Sequence, residues 1–97
     1  MATYLVLFRY TQKGLESIKE SPFRVKKAND VFKELGASVK EFYALLGAYD
    51  TVFIAEAPND ETIAKAAMAV ASLGNVQTEI LRAFNEDEFR KIIAGLP

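Results

Sequence analysis

Residues 42–57 read Phe-Tyr-Ala-Leu-Leu-Gly-Ala-Tyr-Asp-Thr-Val-Phe-Ile-Ala-Glu-Ala, with a glycine and an aspartate between two apolar runs. Short β-rich runs on either side of Gly and Asp are typical of a β-hairpin. We therefore predict two antiparallel strands, residues 39–46 and 51–57, joined by a turn at residues 47–50. Gly47 can take the positive φ of a tight turn, and Asp50 can accept backbone N–H groups there.

The remaining chain alternates between strand-like and helix-like segments. Residues 3–10 and 76–84 are rich in β-branched and aromatic side chains and predict two further strands. Ser21 is expected to cap a long helix whose first helical residue is Pro22. Apolar residues at helical spacing predict helices in segments 12–19, 22–35, 60–73 and 86–96, the first two either separate or joined at a kink.

The resulting element order is β-α-β-β-α-β followed by a terminal helix. This order is the ferredoxin-like, split βαβ pattern of the α+β class. Right-handed crossovers place both long helices on the same face of an antiparallel sheet. The whole chain, residues 1–97, is expected to form a single domain.

The opposite face of this sheet is also apolar. In a symmetric hairpin Phe42, Ala44, Leu46, Thr51, Phe53 and Ala55 share one face, whereas Glu41, Tyr43, Leu45, Val52, Ile54 and Glu56 share the other. The first strand has apolar residues on both faces as well. Soluble monomers rarely expose so large an apolar patch. We therefore expect a second copy to cover it, which gives a homodimer or a higher homo-oligomer of the dimeric α/β-barrel type; the alternative is that the terminal helix folds over it.

Composition excludes several classes of function. Twelve basic and thirteen acidic residues give a net charge of -1, so no basic excess favours nucleic acid or an anionic membrane. Cysteine and histidine are both absent, which removes disulfides, thiolate chemistry and the commonest general base and metal ligand. We expect no metal, no cofactor and no catalytic residue, and no signal peptide or membrane span is recognisable. A cytoplasmic location is expected.

Six polar or aromatic residues are candidates for ligand binding. Tyr49 and Asp50 are either structural residues of the turn or rim groups of a pocket. Arg9, Tyr10, Tyr43 and Arg82 are strand residues that we expect to pair with Glu79, Glu56 or Asp50 at strand ends. The alternative is that they line a cavity between sheets, where Arg would hold an anion and Tyr would donate a hydrogen bond.

Several motifs resemble those of the GYD-domain proteins, a family of small bacterial and archaeal proteins. The matching segments are Tyr10-Thr11-x-x-Gly14, Ile18-Lys19-Glu20-Ser21-Pro22, Phe42-Tyr43, Gly47-x-Tyr49-Asp50, Ala57-Pro58, Leu73-Gly74-Asn75-Val76 and Leu81-Arg82-Ala83-Phe84. Family members more often have a charged or polar residue where this chain has Ala48. The resemblance implies a ferredoxin-like fold of the dimeric α/β-barrel type and supplies no established activity. A similar hairpin occurs in the ligand-binding domains of leucine-responsive regulators, which bind small effectors at subunit contacts.

Three functions remain open on the sequence. The favoured one is an oligomeric module that binds or senses a small ligand. The second is a cofactor-less enzyme of the dimeric-barrel type, similar to a monooxygenase or an isomerase. The third is a structural protein without a pocket.

Overall fold

The computed structural model describes residues 1–97 and consists of one sheet, two long helices and two shorter ones. In chain order the elements are β1 (Ala2–Tyr10), α1 (Gln12–Glu16), α2 (Ser21–Glu34), β2 (Ser38–Ala44), β3 (Thr51–Ala57), α3 (Asp60–Ala71), β4 (Val76–Ala83) and α4 (Glu86–Ala94). A single 3₁₀ turn, Ile18–Glu20, links α1 to α2.

The four strands form an antiparallel sheet in the order β2-β3-β1-β4. This order and the helices on one face confirm the predicted ferredoxin-like α+β fold. Phe42 pairs with Phe53 and Tyr43 with Val52, so the two faces of the hairpin are those expected from its alternation. β3 is largely buried along its length, whereas β2 and β4 are exposed edge strands.

The hydrophobic core lies between the sheet and the helices α2 and α3. The strands contribute alternate residues, among them Tyr4, Val6, Phe8 and Phe53. From the helices come Phe32 and a stripe of α3 that includes Ile63 and two alanines. Small alanine side chains let α3 lie close to the sheet, which accounts for the full burial of this stripe.

Two local expectations were wrong. β2 ends at Ala44, because the Leu45 N–H donates to the Asp50 carbonyl at 2.8 Å and a longer loop replaces the tight turn. A bulge between Val39 and Glu41 also shifts the register. Ser21 does not cap α2, since its hydroxyl hydrogen-bonds to the Tyr10 hydroxyl at 2.7 Å instead.

The other sheet face, called the open face below, carries Leu5, Leu7, Tyr43, Val52, Ile54 and Leu81. Leu7 and Val52 at its centre are buried, but Tyr43 and Leu81 are 51% and 45% exposed. α4 has no buried residue and leaves Phe89, Ile92 and Ile93 about half exposed, so the terminal helix does not cover this face as the alternative supposed. The chain measures 51 × 30 × 18 Å, and no helix is long and apolar enough to cross a bilayer.

Candidate functional site

A cleft opens on the helix-covered side of the sheet, between α2, the end of β1 and the end of α3. Its volume is about 390 Å³, which lies within the range of roughly 300–1,000 Å³ that is usual for small-molecule sites. We call it the helix-side cleft. The cavity considered in the sequence analysis was one between two sheets, whereas this cleft lies between the sheet and the helices.

Aromatic rings form the floor of the helix-side cleft. Phe53 is in edge-to-face contact with Phe8 at 5.1 Å between ring centroids and with Phe42 at 6.0 Å. A fourth ring, Phe32, contacts Phe53 from the helix side, with 5.2 Å between ring centroids. Phe8 and Phe53 are buried, whereas Phe42 on the edge strand is 40% exposed. Rings held at fixed angles by one another form a preorganised apolar surface.

Polar side chains surround the mouth of the cleft. The hydroxyls of Tyr10 and Ser21 are hydrogen-bonded to each other and half-buried. Lys13, Arg24 and Lys27 bring three positive charges to the lining. Arg24 donates to the carbonyls of Ser17 and Gly14 at 2.9 and 3.0 Å, so its guanidinium holds α1 against α2.

Two of the sequence motifs quoted above contact each other beside the mouth of the cleft. The Thr11 N–H donates to the Asn75 carbonyl at 3.0 Å, and its hydroxyl donates to the Gly74 carbonyl at 2.6 Å. Gly14 is required here because an added Cβ would lie 2.2 Å from the Asn75 carbonyl oxygen. Lys13 Nζ donates to the Leu73 carbonyl at 2.9 Å. The Thr11-x-x-Gly14 and Leu73-Gly74-Asn75 segments therefore form one docked unit beside the cleft.

The Gly-x-Tyr-Asp segment has a structural role at the end of β1. The Asp50 carboxylate accepts from the Tyr10 N–H at 2.8 Å, and the Asp50 N–H donates to the Phe8 carbonyl at 2.9 Å. Gly47 has a φ of +140°, which a residue with a side chain rarely adopts. The Asp50 contacts fix the backbone of the two β1 residues, Phe8 and Tyr10, that line the helix-side cleft.

Tyr49 lies at a second, smaller cleft on the surface of the sheet. Its hydroxyl donates to the Glu79 carboxylate at 2.6 Å, and this hydrogen bond raises the pKa of the phenol. The guanidinium of Arg9 lies 5.0 Å from the Tyr49 ring centroid, and its Nε donates to the Ala48 carbonyl at 3.0 Å. The space beside them is about 190 Å³. Arg9 and Glu79 both contact Tyr49, and these contacts hold the hairpin loop onto the sheet.

The two other candidates are occupied elsewhere. The Tyr43 hydroxyl donates to the Glu41 carboxylate at 2.5 Å on β2, and this contact raises the pKa of Tyr43. Arg82 lies 4.5 Å above the Phe84 ring and pairs with Glu88 at 3.4 Å. Of the six sequence candidates, only Tyr10 lines the helix-side cleft; Arg9 and Tyr49 share the smaller one, and Asp50, Tyr43 and Arg82 lie apart from both.

Sequence reasoning missed most residues of the helix-side cleft. Ser21, Arg24 and Ala28 follow one another at helical spacing along α2 and all line the cleft. Lys27 is exposed and also belongs to the lining. The signal that could have found them is a polar and small-residue stripe beside the apolar stripe of α2. No three His, Cys, Asp or Glu side chains are grouped so as to hold a metal ion.

Two proteins from Thermus thermophilus are similar to this chain, one in sequence and one in structure. A relative from Thermus thermophilus, the glutamine synthetase and cystathionine beta-lyase binding protein, is 38% identical over 84 residues, which are 86% of this chain and 88% of the relative. The crystal structure of TTHA0845, also from Thermus thermophilus, has a TM-score of 0.58 at 29% identity and covers 88% of this chain and 95% of that one.

A regulatory protein has the same fold at lower identity. The feast or famine regulatory protein Rv3291c from M. tuberculosis, in complex with L-methionine, has a TM-score of 0.66 at 13% identity and covers 88% of this chain and 51% of that chain. At this identity only the fold is shared. The model of the GYD domain, by contrast, matches residues 4–93, nearly the whole chain. This protein is therefore a member of the GYD-domain family.

Proposed function

We propose that this protein is a homo-oligomeric module that binds a small ligand in the helix-side cleft. The observation that carries the proposal is the cleft itself: about 390 Å³ of space above a floor of aromatic rings in edge-to-face contact, with a small number of polar groups in the lining. Buried Thr51 adds one polar group beside the rings, and the other polar side chains of the lining are more exposed. An apolar floor with a few convergent polar groups is the usual form of a small-molecule site. Because the chain has no histidine or cysteine, the usual general base and thiolate nucleophile are absent from the lining, which favours binding over turnover.

A cleft-filling variant tests the ligand proposal. Small amphipathic molecules should raise the melting temperature of the wild type, since a ligand that binds only the folded state stabilises it. Ala28→Phe places a ring in the cleft and should abolish this shift, whereas Asn29→Phe, on the exposed neighbouring position, should keep it. A flat response of the wild type to a broad panel, or an undiminished response of Ala28→Phe, would refute the proposal.

The proposal that the protein is a homo-oligomer rests on the accessible surface area of one chain. The accessible surface of one chain is 6598 Å², whereas a monomeric protein of 10.8 kDa exposes about 5,500 Å². The excess of about 1,000 Å² is close to the roughly 800 Å² that each partner buries in a standard interface. The open face and the apolar side of α4 supply this surface, and we assign their occupant as a second copy of this chain.

A second candidate function comes from the Thermus relative, which is named as a protein that binds two enzymes. On this alternative the open face or α4 would hold a partner enzyme in place of a second copy. Purified chain that remains a monomer alone and changes mass only with an added enzyme would favour the alternative. Self-association of the purified chain would favour the first proposal.

A further inference from the structure

We propose that the ligand of the helix-side cleft is a small carboxylate with an apolar or aromatic body. This inference rests on the ligand-binding function proposed above and names the chemical class. The carboxylate lies at the mouth, within reach of Lys13, Lys27 and the Tyr10–Ser21 pair, and the apolar body lies on the phenylalanine floor.

The charge of the lining favours an anion. Lys13, Arg24 and Lys27 face a single carboxylate, Glu20. None of these four takes part in an ion pair, because the ion pairs of the chain are confined to Lys40, Arg82, Arg90 and their partners. The mouth therefore has two more positive than negative charges, and a cleft with apolar walls concentrates the resulting field.

Hydrogen-bond donors without an acceptor at the mouth also favour an anionic ligand. Lys13 makes one hydrogen bond, to the Leu73 carbonyl, which leaves two of its three N–H groups free. Lys27 lies 5.2 Å from the Phe23 ring centroid and has no hydrogen-bond acceptor. The mutual bond of Tyr10 and Ser21 uses only one of their two hydroxyl hydrogens. An ionised carboxylate is an acceptor without a hydrogen and complements such a set.

The floor and the volume limit the body of the ligand. About 390 Å³ is near the lower end of the roughly 300–1,000 Å³ range of small-molecule sites, which favours a small ligand. The exposed part of Phe42 and the edges of the neighbouring rings suit a second aromatic ring in edge-to-face or offset contact. A phenyl-bearing short-chain acid therefore matches the cleft in both size and polarity.

Titration with hydrocinnamic acid and with its amide, near neutral pH and low salt, tests the carboxylate directly. The two molecules have the same shape and differ in charge. We expect the acid to bind at least about tenfold more tightly, as one charge-assisted hydrogen bond implies. Lys27→Gln should lower the affinity for the acid several-fold and leave that for the amide unchanged. Lys26→Gln, one residue away and outside the lining, is the matched control and should behave as the wild type.

The outcomes separate this inference from the proposed function. Equal binding of acid and amide, or tighter binding of the amide, would overturn the carboxylate and leave the cleft as a small-molecule site. An acid preference that Lys27→Gln and Lys26→Gln reduce equally would show attraction by the overall charge of α2 and would overturn the placement at the mouth. If neither compound binds while members of the broad panel do, the carboxylate assignment fails alone. If the panel of the cleft-filling test is also flat, the proposed function fails with it.

Discussion

Asp50 connects the hairpin loop to β1 through one side chain. Its carboxylate accepts from the Tyr10 N–H, and its own backbone N–H pairs with Phe8. Asp50→Ala should lower the free energy of unfolding by about 1–3 kcal/mol, because the Tyr10 N–H would lose its acceptor. Asp50→Asn keeps an oxygen in place and should cost less. Urea unfolding measures both, and a loss of ligand affinity without any loss of stability would instead make Asp50 a binding residue.

Gly14 lies against the backbone of Asn75, which leaves no room for a side chain. A Cβ there would overlap the Asn75 carbonyl at 2.2 Å, so the Thr11–Asn75 contact would have to open. Gly14→Ala should destabilise the fold by about 1–3 kcal/mol, as overpacking does. Gly95→Ala is the control, since its nearest neighbour would be at 3.6 Å, and it should stay within about 0.5 kcal/mol of the wild type. Equal unfolding midpoints for the two variants would contradict the docked unit.

At the scale of single residues, the sequence predicted the roles of side chains better than it predicted their hydrogen-bond partners. The structural role of Gly47 follows from its positive φ, and Asp50 does accept a backbone N–H as expected of a turn carboxylate. The donor, however, belongs to β1 and not to the turn, and no local pattern reveals a partner 40 residues away. Lys27 gives a second case, because side-chain charge alone does not tell which flank of a helix faces a cleft.

At the scale of elements, α4 is stabilised by a capping box. The Asn85 side chain accepts from the Glu88 N–H at 2.8 Å, and the Glu88 carboxylate accepts from the Asn85 N–H at 2.9 Å. This second bond, reinforced by Arg82, holds the pKa of Glu88 below its ordinary value of 4.5. The sequence predicted this box from Asn85 and Glu88, since both partners lie within one helical turn.

Because the pKa of Glu88 is lowered, the stability of α4 should depend on pH in a definite direction. A carboxyl whose pKa is lower in the folded state adds stability above its ordinary pKa and loses it as the pH falls through the folded value. Amide hydrogen exchange in α4 should therefore accelerate as the pH falls below about 4.5, after correction for intrinsic rates. Glu88→Gln should flatten this dependence, and Glu86→Gln, outside the box, should retain it. An unchanged profile in Glu88→Gln would contradict the assignment.

Element boundaries were predicted less well where tertiary contacts override local signals. The Ser21-Pro22 pair has the chemistry of a cap, but Tyr10 provides the Ser21 hydroxyl with a partner across the cleft. Leu45 and Leu46 have strand-forming apolar character, yet the attachment of Asp50 to β1 draws them into the loop. In both places a contact with β1, made by Tyr10 in one case and Asp50 in the other, overrides what local propensity favours.

On the scale of the whole molecule, the sequence predicted the topology and the apolar character of both sheet faces. It could not predict the cleft, because a cavity depends on how far α2 stands from the sheet and no residue pattern encodes that distance. The radius of gyration of 14.6 Å exceeds the roughly 13 Å of a compact chain of this length. We attribute this extension to α4, which has no buried residue.

Charge placed on the open face should weaken self-association. Leu81→Glu puts a carboxylate on a half-exposed position of β4 and should raise the dimer dissociation constant at least about tenfold, because burying an unpaired charge is costly. Met68→Glu, also a change from an exposed apolar residue but on α3, is the matched control and should leave it unchanged. Analytical size exclusion over a dilution series measures both. If Met68→Glu dissociates the assembly and Leu81→Glu does not, the contact lies on the helix side.

Sedimentation equilibrium of the purified chain at micromolar concentration tests most directly whether the open face and α4 meet a second copy. We predict a mass of twice the 10.8 kDa of one chain, or a higher whole multiple. A mass of one chain across the micromolar range would contradict it.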